Sequence, residues 1–182
     1  MNKSFKLGLK LLIITAVAAA ALVLTNNATA PIIEAANQER LQESLKIVYE
    51  DATFEEIKDQ DFPPEIVGVY KATRSDGSEG YVFDVNSPGG YGGPIEFLIG
   101  VGPDNKLTGF SPLVHGESAG FGKNMEEDFF KQGVVGVSMD GEVGFSDSGS
   151  DTEIVGISGA TISTSTIVKG INIARETLEN IK

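Results

Sequence analysis

Apolar positions follow three regimes along this chain. From Leu11 to Leu24 they run unbroken, and between Phe5 and Thr25 only Lys6 and Lys10 carry charge. Over the middle they alternate with polar residues, the period of a strand with one face buried. Near the end, Ile167, Ile171, Ala174, Leu178 and Ile181 step by fours and threes, one face of a helix. The first regime predicts a membrane-crossing helix, since Phe5–Thr25 spans a hydrocarbon core of about 30 Å when the two lysines snorkel. The competing reading is a signal peptide cleaved after Ala28-Thr29-Ala30, although Pro31 directly after that site hinders cleavage. Lys3, Lys6 and Lys10 place the N-terminus in the cytoplasm by the positive-inside rule. Either reading puts the rest of the chain on the extracytoplasmic side of the cell membrane, as a single-pass protein if the anchor is retained.

The later regimes resolve into elements. A helix is predicted over Pro31–Tyr49, with Ile33, Leu41, Leu45 and Val48 near one face and Pro31 in its first turn. It continues the anchor as a stalk. Strands are predicted at Glu65–Ala72 and Gly80–Val85, with "RSDGSEG" turning between them, and at Ile95–Val101 and Leu107–Val114 around "GPDNK". "SPGGYGGP" (Ser87–Pro94) reads as a glycine loop. Asn124–Gln132 reads as a short helix with Phe129 and Phe130 inward, Val134–Ser138 as a strand, and "SDSGSD" (Ser146–Asp151) as a solvated loop. Glu153–Ile157 is a strand leading into the last helix, whose apolar stepping begins at Thr164. Hairpins in the middle with helices at both ends define an α+β domain with an antiparallel sheet. The expected segments are 1–28 (cytoplasmic N-terminus and anchor), 29–50 (helical stalk) and 51–182 (one domain).

Composition narrows the chemistry. A net charge of −12 over 182 residues repels nucleic acid and anionic lipid surfaces. With no cysteine the chain holds no disulfide, iron–sulfur cluster or thiolate zinc site, and with His115 its only histidine it builds no all-histidine metal site. No metal site is expected. Electron chemistry here would need an organic cofactor.

The densest chemistry lies in "GISGATISTSTIVKGIN" (Gly156–Asn172), where Ser158, Thr161, Ser163, Thr164 and Ser165 crowd a strand–glycine–helix junction. Gly159 permits a turn that other residues resist. A helix start offers unpaired N–H groups and the positive end of the dipole, a seat for phosphate. The plain alternative is one N-cap hydroxyl and solvent-facing companions. The glycine and lysine spacing of a P-loop is absent.

"SGATIST" after a strand resembles the FMN-binding domain shared by the G subunits of Rnf complexes and the C subunits of Nqr complexes. So do "TAPIIEAANQERLQESLK" as a post-membrane stalk, "GYVFDVNSPGGYGGPIEFLIGV" as a glycine-rich hairpin, and "HGESAGFG" (His115–Gly122), similar to the family's His-x-Glu-Thr-Pro-Gly-Leu-Gly segment. The likeness runs in the family's order over most of the chain, and the length is nearer the Rnf branch. It implies FMN as cofactor, carried through a phosphoester on Thr161, with Ser158, Gly159, Ala160 and Thr164 around it. A separate flavin transferase would load it from FAD. It implies an electron-carrying subunit, not an enzyme on its own and without catalytic residues. Its partners would be the other Rnf-type membrane subunits and the peripheral iron–sulfur and NADH-binding subunits. The chain departs from the family at Val155, where the family carries an acid, with Asp151 and Glu153 the nearest carboxylates. It departs again at Ser118-Ala119 and Phe121. His115 and Glu117 read either as cofactor contacts or as structural groups, and Tyr91 as a ring that stacks on flavin or as a hairpin tip. Two other functions fit the same residues: a free-standing extracytoplasmic FMN carrier, and an exported acidic domain without cofactor whose hydroxyls only cap a helix.

Overall fold

The structure, a computed structural model, describes residues 3–58 and 60–181. Met1, Asn2, Asp59 and Lys182, which the expected segments include, lie outside the described residues, as do the side chains of Lys3 and Ser4. The chain divides into two units, Met1–Arg40 and Leu41–Lys182.

Within the first unit, residues 3–40 are helical, part of α1 (Lys3–Val48), with a stretch long and apolar enough to cross a membrane. Its leucines and isoleucines are exposed, Leu22 and Leu24 at 72% and 70%. The expected helix start at Pro31 is corrected: Pro31 lies inside α1. Nearby, the Thr25 and Thr29 hydroxyls donate to the carbonyls of Ala21 and Thr25 at 2.9 and 3.0 Å.

The second unit is α+β. Five strands form an antiparallel meander in the order β1 (Ala52–Glu56), β2 (Ile66–Arg74), β3 (Glu79–Gly90), β4 (Gly93–Val101) and β5 (Leu107–Val114). Register pairs Phe83 with Val69 and Ile99, so these alternate positions stack on one face. That face carries Phe83, Val85, Phe97, Ile99 and Phe110. It packs on α3 (Thr161–Ile181) through Ile167, Ile171, Ala174 and Leu178, the stepped face of the sequence. Phe97, Phe110 and Phe130 form a ring chain with centroids 5.2 and 5.3 Å apart. The opposite face buries Ala72, Val82 and Leu98 against Leu45, Val48 and Tyr49 from the end of α1. There Thr108 Oγ1 donates to the Val48 carbonyl at 2.6 Å, satisfying a C-terminal helix carbonyl. With both faces covered, the central strands are buried almost continuously, and one buried position is Asp84, 4% exposed.

Several expectations are corrected. Ser87–Pro94 is mostly strand, because β3 runs to Gly90 and β4 starts at Gly93 with only a tight turn between. The Asn124–Gln132 helix is split into a 3-10 turn (Gly122–Glu126) and α2 (Asp128–Val134) by Glu127, whose backbone is extended. Phe129 is exposed while Phe130 is buried. Neighbours on a helix point about 100° apart, so a single contact face takes only one of them. Val134–Ser138 is no strand: α2 ends at Val134, Gly136 turns at φ 87°, and only Ser138 bridges to Lys106. Within Ser146–Asp151, Ser146 closes β6 (Gly144–Ser146), which pairs in parallel with β7 (Glu153–Val155). The last helix starts at Thr161, three residues before its apolar stepping.

Candidate functional site

Three segments meet at the start of α3: the β3–β4 hairpin tip, the stretch His115–Gly122, and the turn from β7 into the helix. Gly159 makes that turn at φ 75°, and Ala160 N–H closes it on the Ile157 carbonyl at 2.9 Å. The first turn of α3 contains no acidic side chain of its own, although the Glu117 carboxylate reaches it through Ser163.

The five hydroxyls divide by role. Thr164 is fully buried; its Oγ1 accepts from Ile157 N–H at 3.0 Å and donates to the Ala160 carbonyl at 3.1 Å, pinning the turn. Ser163 Oγ donates to Glu117 Oε2 at 2.5 Å, and Ser165 Oγ donates back to the Thr161 carbonyl at 2.5 Å. Ser158 and Thr161 are exposed. Among the described residues, neither of their side chains makes a hydrogen bond. Two of the five hydroxyls are therefore open to a ligand, and Thr161 is the one on the helix itself.

Two hollows flank it. A cavity of about 470 Å³ is lined by Tyr91, Glu117, Phe121, Ala160, Thr161 and Ile162, among others. A cleft of about 420 Å³ on the other side takes Ser146, Asp147, Ser158, Gly159, Thr161 and Thr164. Thr161 and Gly159 border both. The larger hollow is walled by apolar groups that face solvent, with Tyr91 at 75%, Phe121 at 56% and Ile162 at 53% exposure. Its volume lies within the roughly 300–1,000 Å³ of ligand pockets. An aromatic slot beside a helix start and a free hydroxyl fits FMN, whose ring is flat with an apolar benzenoid end and whose far end is a phosphate.

Glu117 stands on the wall of the larger hollow, 8% exposed. Its Oε1 accepts from Gly92 N–H at 3.0 Å and its Oε2 from Ser163 Oγ. His115 borders neither hollow. Its Nε2 lies 2.9 Å from Glu126 Oε1, and Glu117 N–H donates to its Nδ1 at 3.3 Å, so it braces the Glu117 segment. Val155, at the position where the likeness leads one to expect an acid, packs toward Gly133 and Gly149. The carboxylate that borders the cleft is Asp147, from the end of β6. Of the expected site residues, Tyr91, Glu117, Gly159, Ala160 and Thr161 border the larger hollow, while Ser158 and Thr164 border the cleft. Phe121, Ile162 and Asp147 were missed as site residues. Ile162 had left a signal, an apolar residue off the buried stripe of α3.

The FMN-binding domain family matches residues 90–176, the span from the hairpin tip to the last turns of α3. A five-stranded meander carrying this domain, in a chain with an N-terminal helix of membrane-spanning length, defines a membrane-anchored FMN-binding protein with FMN as its cofactor. Over 193 aligned residues the chain is 31% identical to the G subunit of the Na(+)-translocating ferredoxin:NAD(+) oxidoreductase complex of Acetobacterium woodii, covering 97% of this chain and 92% of that protein. It is 30% identical to the G subunit of the ion-translocating oxidoreductase complex of Methanosarcina acetivorans, over 90% of this chain and 88% of that one. A third match, 34% identical over 59% of this chain and 57% of its own length, is the proton-translocating counterpart of Clostridium ljungdahlii. The chain belongs to the family of Rnf complex G subunits.

Proposed function

We propose that this chain is a membrane-anchored flavoprotein electron carrier in an Rnf-type ion-translocating oxidoreductase complex, with FMN esterified to Thr161. Family membership supports the carrier and its assembly with the other Rnf subunits, by analogy with relatives named as subunits of such complexes. The ester rests on one observation. Thr161 carries an exposed hydroxyl without a side-chain hydrogen bond, on the first residue of α3, between an aromatic hollow and a polar cleft.

The residues divide the work. The first-turn amides of α3 and the Gly159 turn hold the phosphate, where the dipole favours negative charge. Tyr91, Phe121 and Ile162, which line the hollow, would offer the ring apolar contacts. Thr164 fixes the turn, and with it the position of Thr161. FMN, when bound, takes up electrons from one redox group and passes them to another. In loading, a flavin transferase supplies FAD. The pyrophosphate bond breaks, AMP leaves, Thr161 Oγ1 bonds to the FMN phosphorus, and the hydroxyl proton passes to a base of the transferase, because an unaided threonine is a weak nucleophile. A permanent ester suits a domain on the extracytoplasmic side, away from the flavin pool, and Lys3, Lys6 and Lys10 before the apolar run support that side. Residues 1–28 act as anchor, 29–50 as the connecting helix and 51–182 as the FMN-binding domain. The peripheral iron–sulfur and NADH-binding subunits complete the partner set.

Intact mass of protein purified from its native membrane is the test. The expected value is the polypeptide plus one FMN less water, absent in Thr161→Ala and kept in Ser163→Ala. A native mass equal to the bare chain ends the ester assignment, and a mass shift that survives Thr161→Ala moves it to another residue.

A further inference from the structure

We infer that Glu117 is a positioning residue: a buried carboxylate that latches the Tyr91 hairpin to the first turn of α3 and so fixes one wall of the flavin hollow. The inference rests on the FMN reading only for what the hollow holds; the latch is a property of the chain.

Three observations carry it. The two carboxylate oxygens are divided between two elements, Oε1 taking Gly92 N–H from the hairpin and Oε2 taking Ser163 OγH from α3. These bonds join segments 25 and 46 residues apart; below the tip, Ser87 Oγ also donates to the Thr166 carbonyl of α3 at 2.7 Å, so the Glu117 bonds act on the tip beyond Ser87. The surroundings are also shaped to the carboxylate. A Cβ at Gly90 would stand 2.7 Å from Oε1, and one at Gly122 would collide with Oε2 and Ser163 Oγ. A Cβ at Gly116 would stand 2.6 Å from the Gly92 carbonyl oxygen, so hairpin and latch segment meet backbone to backbone. Gly90 and Gly122 thus make room for Glu117, and Gly92 and Gly116 let the two backbones meet. Finally, Tyr91 is itself 75% exposed, so its ring has little packing of its own to hold it. Its position depends on Gly92 next to it, and Gly92 depends on Glu117.

The donor count decides which substitutions matter. Both partners donate, so alanine cuts both bonds. Glutamine keeps both: its carbonyl takes Gly92 N–H, and its amide donates to Ser163 Oγ with the hydroxyl turned to accept. Ser163→Ala cuts the helix side alone.

The experiment is amide hydrogen exchange of residues 89–93 in the full-length chain, in the Thr161 background and again in Thr161→Ala. Glu117→Ala is expected to speed exchange there by on the order of tenfold or more, the equivalent of one lost hydrogen bond. Ser163→Ala should speed it less, and Glu117→Gln should stay at the wild-type rate. In flavin-loaded protein the visible circular dichroism of the flavin should weaken in Glu117→Ala and recover in Glu117→Gln. Wild-type exchange in Glu117→Ala, or equal acceleration by glutamine, overturns the latch. Should Glu117→Ala fail to fold, Ser163→Ala decides: unchanged exchange overturns the latch, faster exchange confined to 89–93 supports it. Because the Thr161→Ala arm contains no ester, the latch stands or falls there whatever becomes of the flavin assignment.

Discussion

Replacing Asp84 with asparagine should flatten the pH dependence of stability. Asp84 sits mid-strand on β3, opposite Gly68 and Leu98, on the face covered by the end of α1. It is 4% exposed and its Oδ1 has no hydrogen-bond partner. Burial, with the Glu96 charge adding to it, pushes its carboxyl up from 3.8 to about 7. The folded state therefore holds a proton that the unfolded chain has released. Stability falls as pH rises from near 4 through about 7, and is level below the unfolded value. A shift of about three units at ~1.4 kcal/mol each corresponds to about 4 kcal/mol over that range. Asparagine stays neutral throughout. Its own burial cost is the same at every pH and drops out of the comparison. The assay is urea unfolding of detergent-solubilised full-length protein from pH 4 to 8, followed by near-ultraviolet circular dichroism. The gap between wild type and Asp84→Asn should move by several kcal/mol in favour of asparagine as pH rises. Parallel profiles would mean that Asp84 ionises as a solvated carboxylate, and the account of a dry site on this face would be wrong.

Gly170→Ala tests which of two effects wins in α3. Mid-helix propensity favours alanine by roughly 1 kcal/mol, but a Cβ there would stand 2.7 Å from Phe97 Cζ and 3.0 Å from Val85 Cγ1. Overpacking costs about 1–3 kcal/mol, so the denaturation midpoint should fall; a rise would refute the close packing of α3 on the sheet. Thr164→Val keeps the shape but leaves Ile157 N–H without its acceptor. It should cost about 1–3 kcal/mol in urea unfolding, and a loss within error would mean that water replaces the hydroxyl.

The amino-acid pattern revealed those elements whose burial is regular. The Ile167, Ile171, Ala174 and Leu178 stripe marked α3 because that helix buries one face against one sheet. The β2–β3 and β4–β5 hairpins were legible because turn residues separate two apolar runs in each. Elements held by distant partners were not. β1 is a short edge strand paired only with β2, and β6 and β7 are three-residue strands joined in parallel. Such short segments hold too few periods to announce themselves. The two-faced burial of β3 and β4 also erased the alternation that locates strand ends, so a glycine loop was expected where strand continues to Gly90.

The site divides along the same line. Phosphate-seat chemistry is local to Gly156–Ser165, so the glycine turn and the crowded hydroxyls are visible in the residue order itself. What each hydroxyl does is not visible there. Thr164 turns inward to the preceding turn, Ser163 reaches the Glu117 segment, and Thr161 is left outward because it precedes both on the helix surface. At about 100° per residue, three hydroxyl-bearing positions in a first turn cannot share one face. If Thr161 carries the proposed ester, the turn beneath it has to be held by other hydroxyls, as Thr164 and Ser163 hold it. Under that proposal the crowding serves more than capping: Ser163 and Thr164 are committed inward, while Thr161 keeps an exposed oxygen.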